Sequence, residues 1–417
     1  MEECMNKKKL SFVGVVASAA LVVSALLVPS ANAATRTIIV WADDVRGPQL
    51  TKLIGGNTTL VPGYTIQVKF FSGLTAEQDA WSKATAASGP DIITGPASFV
   101  LDAKSGKLSA IQPGGVNAAF AKGAISAMSY GGKQYGVALD IDTTALVYNK
   151  TLFGATAPTS LVQMVNFYNT NKSAKGLVGG VCAADGTWGS QAILNGFGGG
   201  AWDISKSKPN YTKVVLNSPA FAANVKKYLL DASGKSTGFF QWDGCNTAFS
   251  TGKIPFAITG TWNYGGYTKA GISFGLSAIP GLNGGTSAQW VNYSGAFLSS
   301  YAGVHGVSIG ARQLLLNWFA STTGQVAMYK ASLRPPANGP AVAQVTDPIT
   351  LGVASAAQSG TPQVSALLDD KVGGSNWYDT VGALYTAIFV KGLDVVTSLN
   401  SAAAIEQKNF NDAAASL

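Results

Sequence analysis

Short runs of β-branched and other apolar residues alternate with stretches in which apolar residues recur three and four positions apart. That alternation predicts an α/β chain, with buried strands separated by helices. Thr37–Trp41 (TIIVW) predicts a first buried strand and Ile66–Phe71 (IQVKFF) a second, with a helical stretch between them from about Pro48 to Gly55. Ala76–Ala87 predicts the next helix, and Gly89-Pro90-Asp91-Ile92-Ile93 a turn that leads into a short strand. Farther on, Ser218 is a helix cap and Pro219 a first helical residue, where its missing N–H costs nothing. Phe221, Val225, Tyr228 and Leu229 then follow at helical spacing until Gly234. Another helix is expected from Ser308 as its cap, with Ala311, Leu314, Leu315, Trp318 and Phe319 on its apolar face. Thr322-Thr323-Gly324 breaks it, and Gln325–Ala331 forms a further short helix. The glycine-rich stretches Gly196–Gly200 and Gly281–Gly285 read as loops rather than linkers between independent domains.

The first 33 residues follow a different pattern. Lys7-Lys8-Lys9 is a basic start, Leu10–Val28 is apolar apart from scattered Ser and Gly, and Ala31-Asn32-Ala33 is an A-x-A cleavage signal. Together they predict a secretory signal peptide over residues 1–33. Pro29 and the A-x-A end fit cleavage better than a membrane anchor of similar length. Met5 makes a more usual start than Met1. Cleavage removes Cys4 and leaves Cys182 and Cys245, and an even count in an exported chain predicts one disulfide between them. Cys4 precedes the apolar run and no other Cys lies near Ala33, so no lipid-modified cysteine is expected.

Composition narrows the chemistry. Only 12% of the 417 residues are charged, about half the average for a soluble protein, and the net charge of +8 is spread thinly. No basic cluster stands out beyond the start, so nucleic acid is not an expected partner. A single histidine, His305, argues against a zinc enzyme or a His-based triad, each of which needs imidazoles in convergent positions. Tryptophan is plentiful, at nine residues.

Several segments, in order, match one family. They are Val40-Trp41, Gly89-Pro90-Asp91-Ile92-Ile93, Tyr135-Gly136-Val137, Ala145-Leu146-Val147-Tyr148-Asn149-Lys150 and Ala248-Phe249-Ser250-Thr251-Gly252-Lys253. Ile258-Thr259-Gly260-Thr261-Trp262 and the Trp318 helix with Thr323-Gly324-Gln325 complete the set. The chain resembles the extracytoplasmic sugar-binding proteins of ABC transporters, most closely the maltose/maltodextrin-binding type, over nearly all of residues 34–417. The resemblance implies a type II periplasmic-binding-protein fold, with two α/β lobes joined by a hinge and several chain crossings. By similarity, residues 34–142 and 294–345 form one lobe and residues 143–293 and 346–417 the other. Ligand is expected in the cleft, with lobe closure by hinge rotation and delivery to a membrane-embedded ABC permease.

A sugar presents hydroxyl edges, which suit carboxylates, amides and Arg, and apolar faces, which suit flat aromatic rings. The resemblance places Trp262, after the strand IPFAITGT, at a stacking position, and Trp377 with Tyr378 at a second. Trp188 falls where the family has an aromatic after an acidic residue, and Trp242, close before Cys245, matches another aromatic position. The disulfide would tie the loops of Trp188 and Trp242 together. For hydroxyl groups, Asp44 and Arg46 follow the first strand, at the strand ends where open α/β sheets bind ligands. Glu77, next to Gln78, matches an acidic position, and Asp142 lies at the interlobe crossing where the family carries Glu. One departure concerns specificity. After the GPDI strand the maltose type has an aromatic and then an Asp; here Ser98 stands where the Asp would be, and Phe99 is expected to supply the aromatic.

An exported glycosidase would share acids and aromatics, but it needs two carboxylates flanking one bond, and no strand-end Glu pair stands out. A non-sugar solute such as a polyamine, peptide or iron would favour acid clusters or Tyr, His and Arg clusters over Trp-rich loops. The expectation is therefore a monomeric, non-enzymatic binder of an oligosaccharide, without cofactor or metal, in the periplasm or at the extracellular face of the cell membrane.

Overall fold

A computed structural model describes residues 35–203, 210, 213–242, 244–358, 360–369 and 375–415. The expected signal peptide lies outside the described residues. The described residues form thirteen strands. They are β1 (Arg36–Ala42), β2 (Tyr64–Phe70), β3 (Ile92–Pro96), β4 (Ser129–Tyr130), β5 (Lys133–Gln134), β6 (Gly136–Thr143) and β7 (Ala145–Asn149). Then come β8 (Val181–Ala183), β9 (Phe240–Trp242), β10 (Phe256–Thr259), β11 (Phe274–Ser277), β12 (Trp290–Leu298) and β13 (Thr361–Pro362).

Two mixed sheets, flanked by helices, make the two lobes. In the first, β1 pairs in parallel with both β2 and β3, and β3 pairs antiparallel with β12. β6 runs antiparallel along the other edge of β12, and β13 joins the start of β12. The second sheet has the order β11-β7-β10-β8-β9, with β7 antiparallel to both β10 and β11 and the rest parallel. Only Thr144 separates β6 from β7, so the chain passes from one sheet to the other within a single residue. It returns in β12, which begins at Trp290 and pairs only with strands of the first sheet.

Both sheets are covered on both faces, which explains why their strands read as continuous apolar runs. In β1, Ile38 and Val40 enter one core while Trp41 enters the other. In β8 and β10, Val181, Ala183, Phe256 and Ile258 face the largest core, which also holds Trp202, Trp290, Trp377 and Phe410. Cys182 and Ala257 face the opposite side with Phe249 and Val353. Val353 belongs to the helix Pro348–Gln358, which thereby packs on the second sheet.

The predicted elements differ mainly at their ends. The helix expected over 76–87 runs from Leu74 to Ser82, after which Thr85 and Ser88 close a turn. Ser218 caps its helix as expected by accepting the amide of Phe221, but the turn Val225–Leu229 widens to a π-helix. Ser308 is the first helical residue and Val307 the cap. Thr322–Gly324 is the first turn of the helix Thr322–Ser332, because Ser321 accepts the amide of Gly324. The disulfide Cys182–Cys245 is present.

Candidate functional site

A cleft of about 460 Å³ opens between the ends of strands from both sheets. Crevices at the carboxyl ends of strands are the usual ligand sites of open α/β sheets, because the loops there are free to carry side chains. The turn after β1 supplies Asp43, Asp44 and Arg46, the segment after β3 supplies Ser98, and β6 supplies Asp142. From the second sheet come Asp185, Thr187 and Trp188 after β8, and Trp262 after β10. Asn292 and Ser294 of β12, with Arg334, Gln363, Asp369 and Tyr378, complete the wall beside Leu74 and Gln78.

Local chemistry fixes the turn after β1. Asp43 Oδ1 accepts the amides of Val45 (3.0 Å) and Arg46 (2.7 Å), and Oδ2 accepts the Arg46 guanidinium at 2.6 Å. This local side-chain ring favours a turn over continued strand. Arg46 then reaches Asp140 at 3.2 Å and Ser294, and its Nη2 lies 3.6 Å from Asp142. Arg334 donates to the same two acids, at 3.2 Å to Asp140 and 2.8 Å to Asp142, and Ser294 donates to Asp142. Burial works against the charge of Arg46, but Asp140, Asp43 and Asp142 outweigh it and hold the guanidinium charged. Burial also works against an Asp140 carboxylate, yet the two guanidiniums keep it below the ordinary Asp value. For Asp142, burial and the neighbouring Asp140 charge prevail, and its carboxyl is raised. The floor of the cleft is thus a nearly self-neutralised charge network.

The opposite wall is aromatic. The ring centroids of Trp188 and Trp262 lie 5.7 Å apart with planes tilted by 53°. Trp262 donates its indole N–H to Asp185 at 2.7 Å, and Trp188 donates to Gln363 at 2.7 Å. Gln363 in turn donates to the Tyr378 hydroxyl at 2.9 Å and to Asp369 at 3.1 Å. The Arg334 guanidinium carbon lies 5.6 Å from the centre of the Trp262 ring, within cation–π range. Asp44 is exposed on the rim.

Of the residues singled out in the sequence, Asp44, Arg46, Asp142, Trp188, Trp262 and Tyr378 meet in this cleft. Four lie elsewhere. Trp377 is fully buried against Phe410, because Asn376 and Asp379 form a capping box that starts the helix at Trp377 and turns its ring inward. Phe99 is buried between Gly95 and Phe297, since the 3₁₀ turn Ala97–Ala103 directs it into the core and leaves Ser98 facing the cleft. Glu77 is wholly buried, and its exposed neighbour Gln78 lines the cleft instead. Trp242 packs on Tyr385 at 4.8 Å and beside Gly186, at the start of the helix Gly186–Gly196 that carries Trp188.

Asp185, Arg334, Ser294 and Gln363 are functional candidates that sequence reading did not single out. Asp185 has a local signal, as an acid at the start of a helix next to an aromatic. Arg334 has none, since its carboxylate partners lie 192 and 194 positions earlier in the chain. Among the described residues, no cluster of three or more His, Cys, Asp or Glu side chains is arranged to hold a metal ion, and no helix is long and apolar enough to cross a membrane.

Comparison with known proteins agrees with this architecture. The chain is similar to a galactooligosaccharide-binding protein of Bacillus subtilis (strain 168), 24% identical over 66% of this chain and 64% of that protein. It is also similar to a maltotriose-binding protein of Pyrococcus abyssi (strain GE5 / Orsay), 25% identical over 48% of this chain and 43% of that protein. It spans less than two thirds of the length of either relative. Residues 61–354 match the family described as bacterial extracellular solute-binding protein. Because that match covers well over half of the sequence, the chain belongs to the bacterial extracellular solute-binding proteins.

Proposed function

We propose that this protein is exported, captures a neutral oligosaccharide in the cleft, and delivers it to an ABC permease after its lobes close. The observation that carries the reading is the tilted Trp188–Trp262 pair facing a polar wall across one cavity. Flat rings match the apolar faces of a sugar, and the opposing Asp44, Gln78, Ser98 and Asn292 match its hydroxyl edge. Micromolar affinity needs about 8 kcal/mol. Two aromatic platforms, each covering about 100 Å² of apolar surface, supply roughly 5 kcal/mol before ordering costs, and hydrogen bonds supply the rest. The two named relatives bind neutral oligosaccharides of different composition, which fits a site where Ser98 replaces a carboxylate.

In this reading the lobes divide at the crossings near residues 143, 294 and 346, and the Arg46–Asp140–Asp142–Arg334 network braces the cleft floor at the β6 crossing. Isothermal calorimetry tests it, with maltose, maltotriose, longer maltodextrins, galactooligosaccharides, trehalose, sucrose, raffinose and xylo-oligosaccharides. Saturable heat with at least one is expected, and heat with none overturns the sugar reading. For the sugar that binds, Trp262→Ala is expected to lose roughly tenfold or more in affinity, about 1.4 kcal/mol, with an unchanged circular dichroism spectrum.

A further inference from the structure

We propose that Asp185 is a positioning residue: it fixes the plane of Trp262, and through that ring the affinity of the cleft. The proposal rests on reading the cleft as the binding site. Asp185 occupies the cap position of the helix Gly186–Gly196, where an Asp side chain ordinarily accepts one of the free first-turn amides. It makes no such bond. Its carboxylate turns instead to the junction between β10 and the next helix, Thr261–Lys269. There Oδ2 accepts the Thr259 hydroxyl at 2.8 Å and Oδ1 accepts the Trp262 indole N–H at 2.7 Å. The carboxylate also accepts the Gly260 amide.

The ring is confined from below as well. Trp262 folds back over Gly260 so closely that a Cβ at position 260 would lie 2.1 Å from the ring. With the ring seated on backbone, the in-plane bond to Asp185 fixes its rotation. An indole N–H is donor only, so losing this acceptor leaves the ring without its anchor.

All three donors to Asp185 are neutral. The other titratable and charged groups facing it are Tyr264 and Tyr267, on the same helix as Trp262, and Arg334 across the Trp262 ring. Although Asp185 opens onto the cleft, its carboxyl is enclosed by the β10 junction, and that burial pushes it up to about 6. An ionised carboxylate accepts all three bonds. A protonated one donates to the Thr259 hydroxyl, the one partner of the three that can reverse its role, and its bond to the indole is no longer charge-assisted. Mild acid therefore loosens Trp262.

The test uses the full-length protein and the variants D185A, D185N and W262F. Tryptophan emission of the ligand-free protein is recorded from pH 4.5 to 8, and affinity at pH 7.5 is measured for a sugar that gave heat. The wild type is expected to show an emission step near pH 6 that D185N and W262F both lack. D185A is expected to lose roughly tenfold in affinity, and D185N, whose carbonyl gives the indole a neutral and weaker acceptor, to recover part of it. A step that persists in D185N, D185A binding like wild type, or D185N binding as weakly as D185A each overturns the proposal, the last by assigning Asp185 a direct charged contact with ligand. The emission arm needs no ligand, so it decides the Asp185–Trp262 coupling even if no sugar binds.

Discussion

Glu77 lies wholly buried beneath the cleft, and neither oxygen of its carboxyl has a hydrogen-bond partner among the described residues. Burial, reinforced by the charge of Asp43 and only partly opposed by Arg46, pushes the carboxyl up to about 9. The folded state therefore keeps a proton at pH 7 that the unfolded chain gives up. The resulting cost is absent below about pH 4.5, grows as pH rises, and levels off above about 9. Glu77→Gln removes it, so the variant is expected to be more stable than wild type by about 3 kcal/mol at pH 7 and nearly equal to it at pH 4.5. Urea unfolding at the two pH values checks this, and equal stabilities at pH 7 would show that Glu77 is ionised in the fold. The family resemblance reads Glu77 as a hydroxyl-binding acid. Only the fold reveals that the neighbouring Gln78 takes the open side of the helix. Asp44, Arg46 and Trp262 are legible because each follows directly on an apolar strand, and a strand end marks a site without knowledge of the tertiary fold. Arg334 and Ser294 become functional only through partners remote in sequence.

At the scale of elements, sequence reading succeeds where a strand is buried on both faces and fails where a cap decides. β1 lies within one residue of its predicted limits, since a continuous apolar run leaves little freedom in placing a strand, and the half-exposed edge strand β2 lies within two. Trp377 is the contrary case. The capping box at Asn376 starts the helix just early enough to carry the ring from the cleft side into the core. The disulfide belongs to this scale too. It joins Cys182, in the middle of β8, to Cys245, the cap residue of the helix Asn246–Ser250. Between them β9 pairs with β8, placing Trp242 opposite Ala183 and beside Gly186, at the start of the helix that carries Trp188. With 63 positions between the cysteines, the chain-entropy model assigns the bond about 4 kcal/mol. The double variant Cys182→Ser/Cys245→Ser is expected to lose stability of that order in urea, and to bind its sugar more weakly because the support for the start of the Trp188 helix slackens. An unchanged affinity would show that β8–β9 pairing alone holds the start of that helix.

At the scale of the molecule, one side chain touches both walls of the cleft. Arg334 is anchored to Asp140 and Asp142 on β6, and it reaches toward the ring of Trp262, which follows β10 of the other sheet. Two guanidiniums serve three carboxylates in this network, so the acids already exceed the cations by one. Arg334→Met removes half of the positive charge from a buried site. Breaking a buried pair in this way is expected to cost about 3 kcal/mol or more, because Asp142 and Asp140 are left sharing Arg46 alone. Adding Asp142→Asn restores the excess to a single carboxylate and should recover much of that loss. It does not restore the contact with Trp262. If Arg334 serves only the charge balance, the double variant regains both stability and sugar affinity. If it also links the lobes, stability returns while affinity stays low, and the fall in radius of gyration on adding sugar, measured by X-ray scattering, is smaller than in wild type. The second outcome is expected, because the Asp142→Asn change acts on β6 of the first sheet while the Trp262 contact spans the cleft between the two sheets.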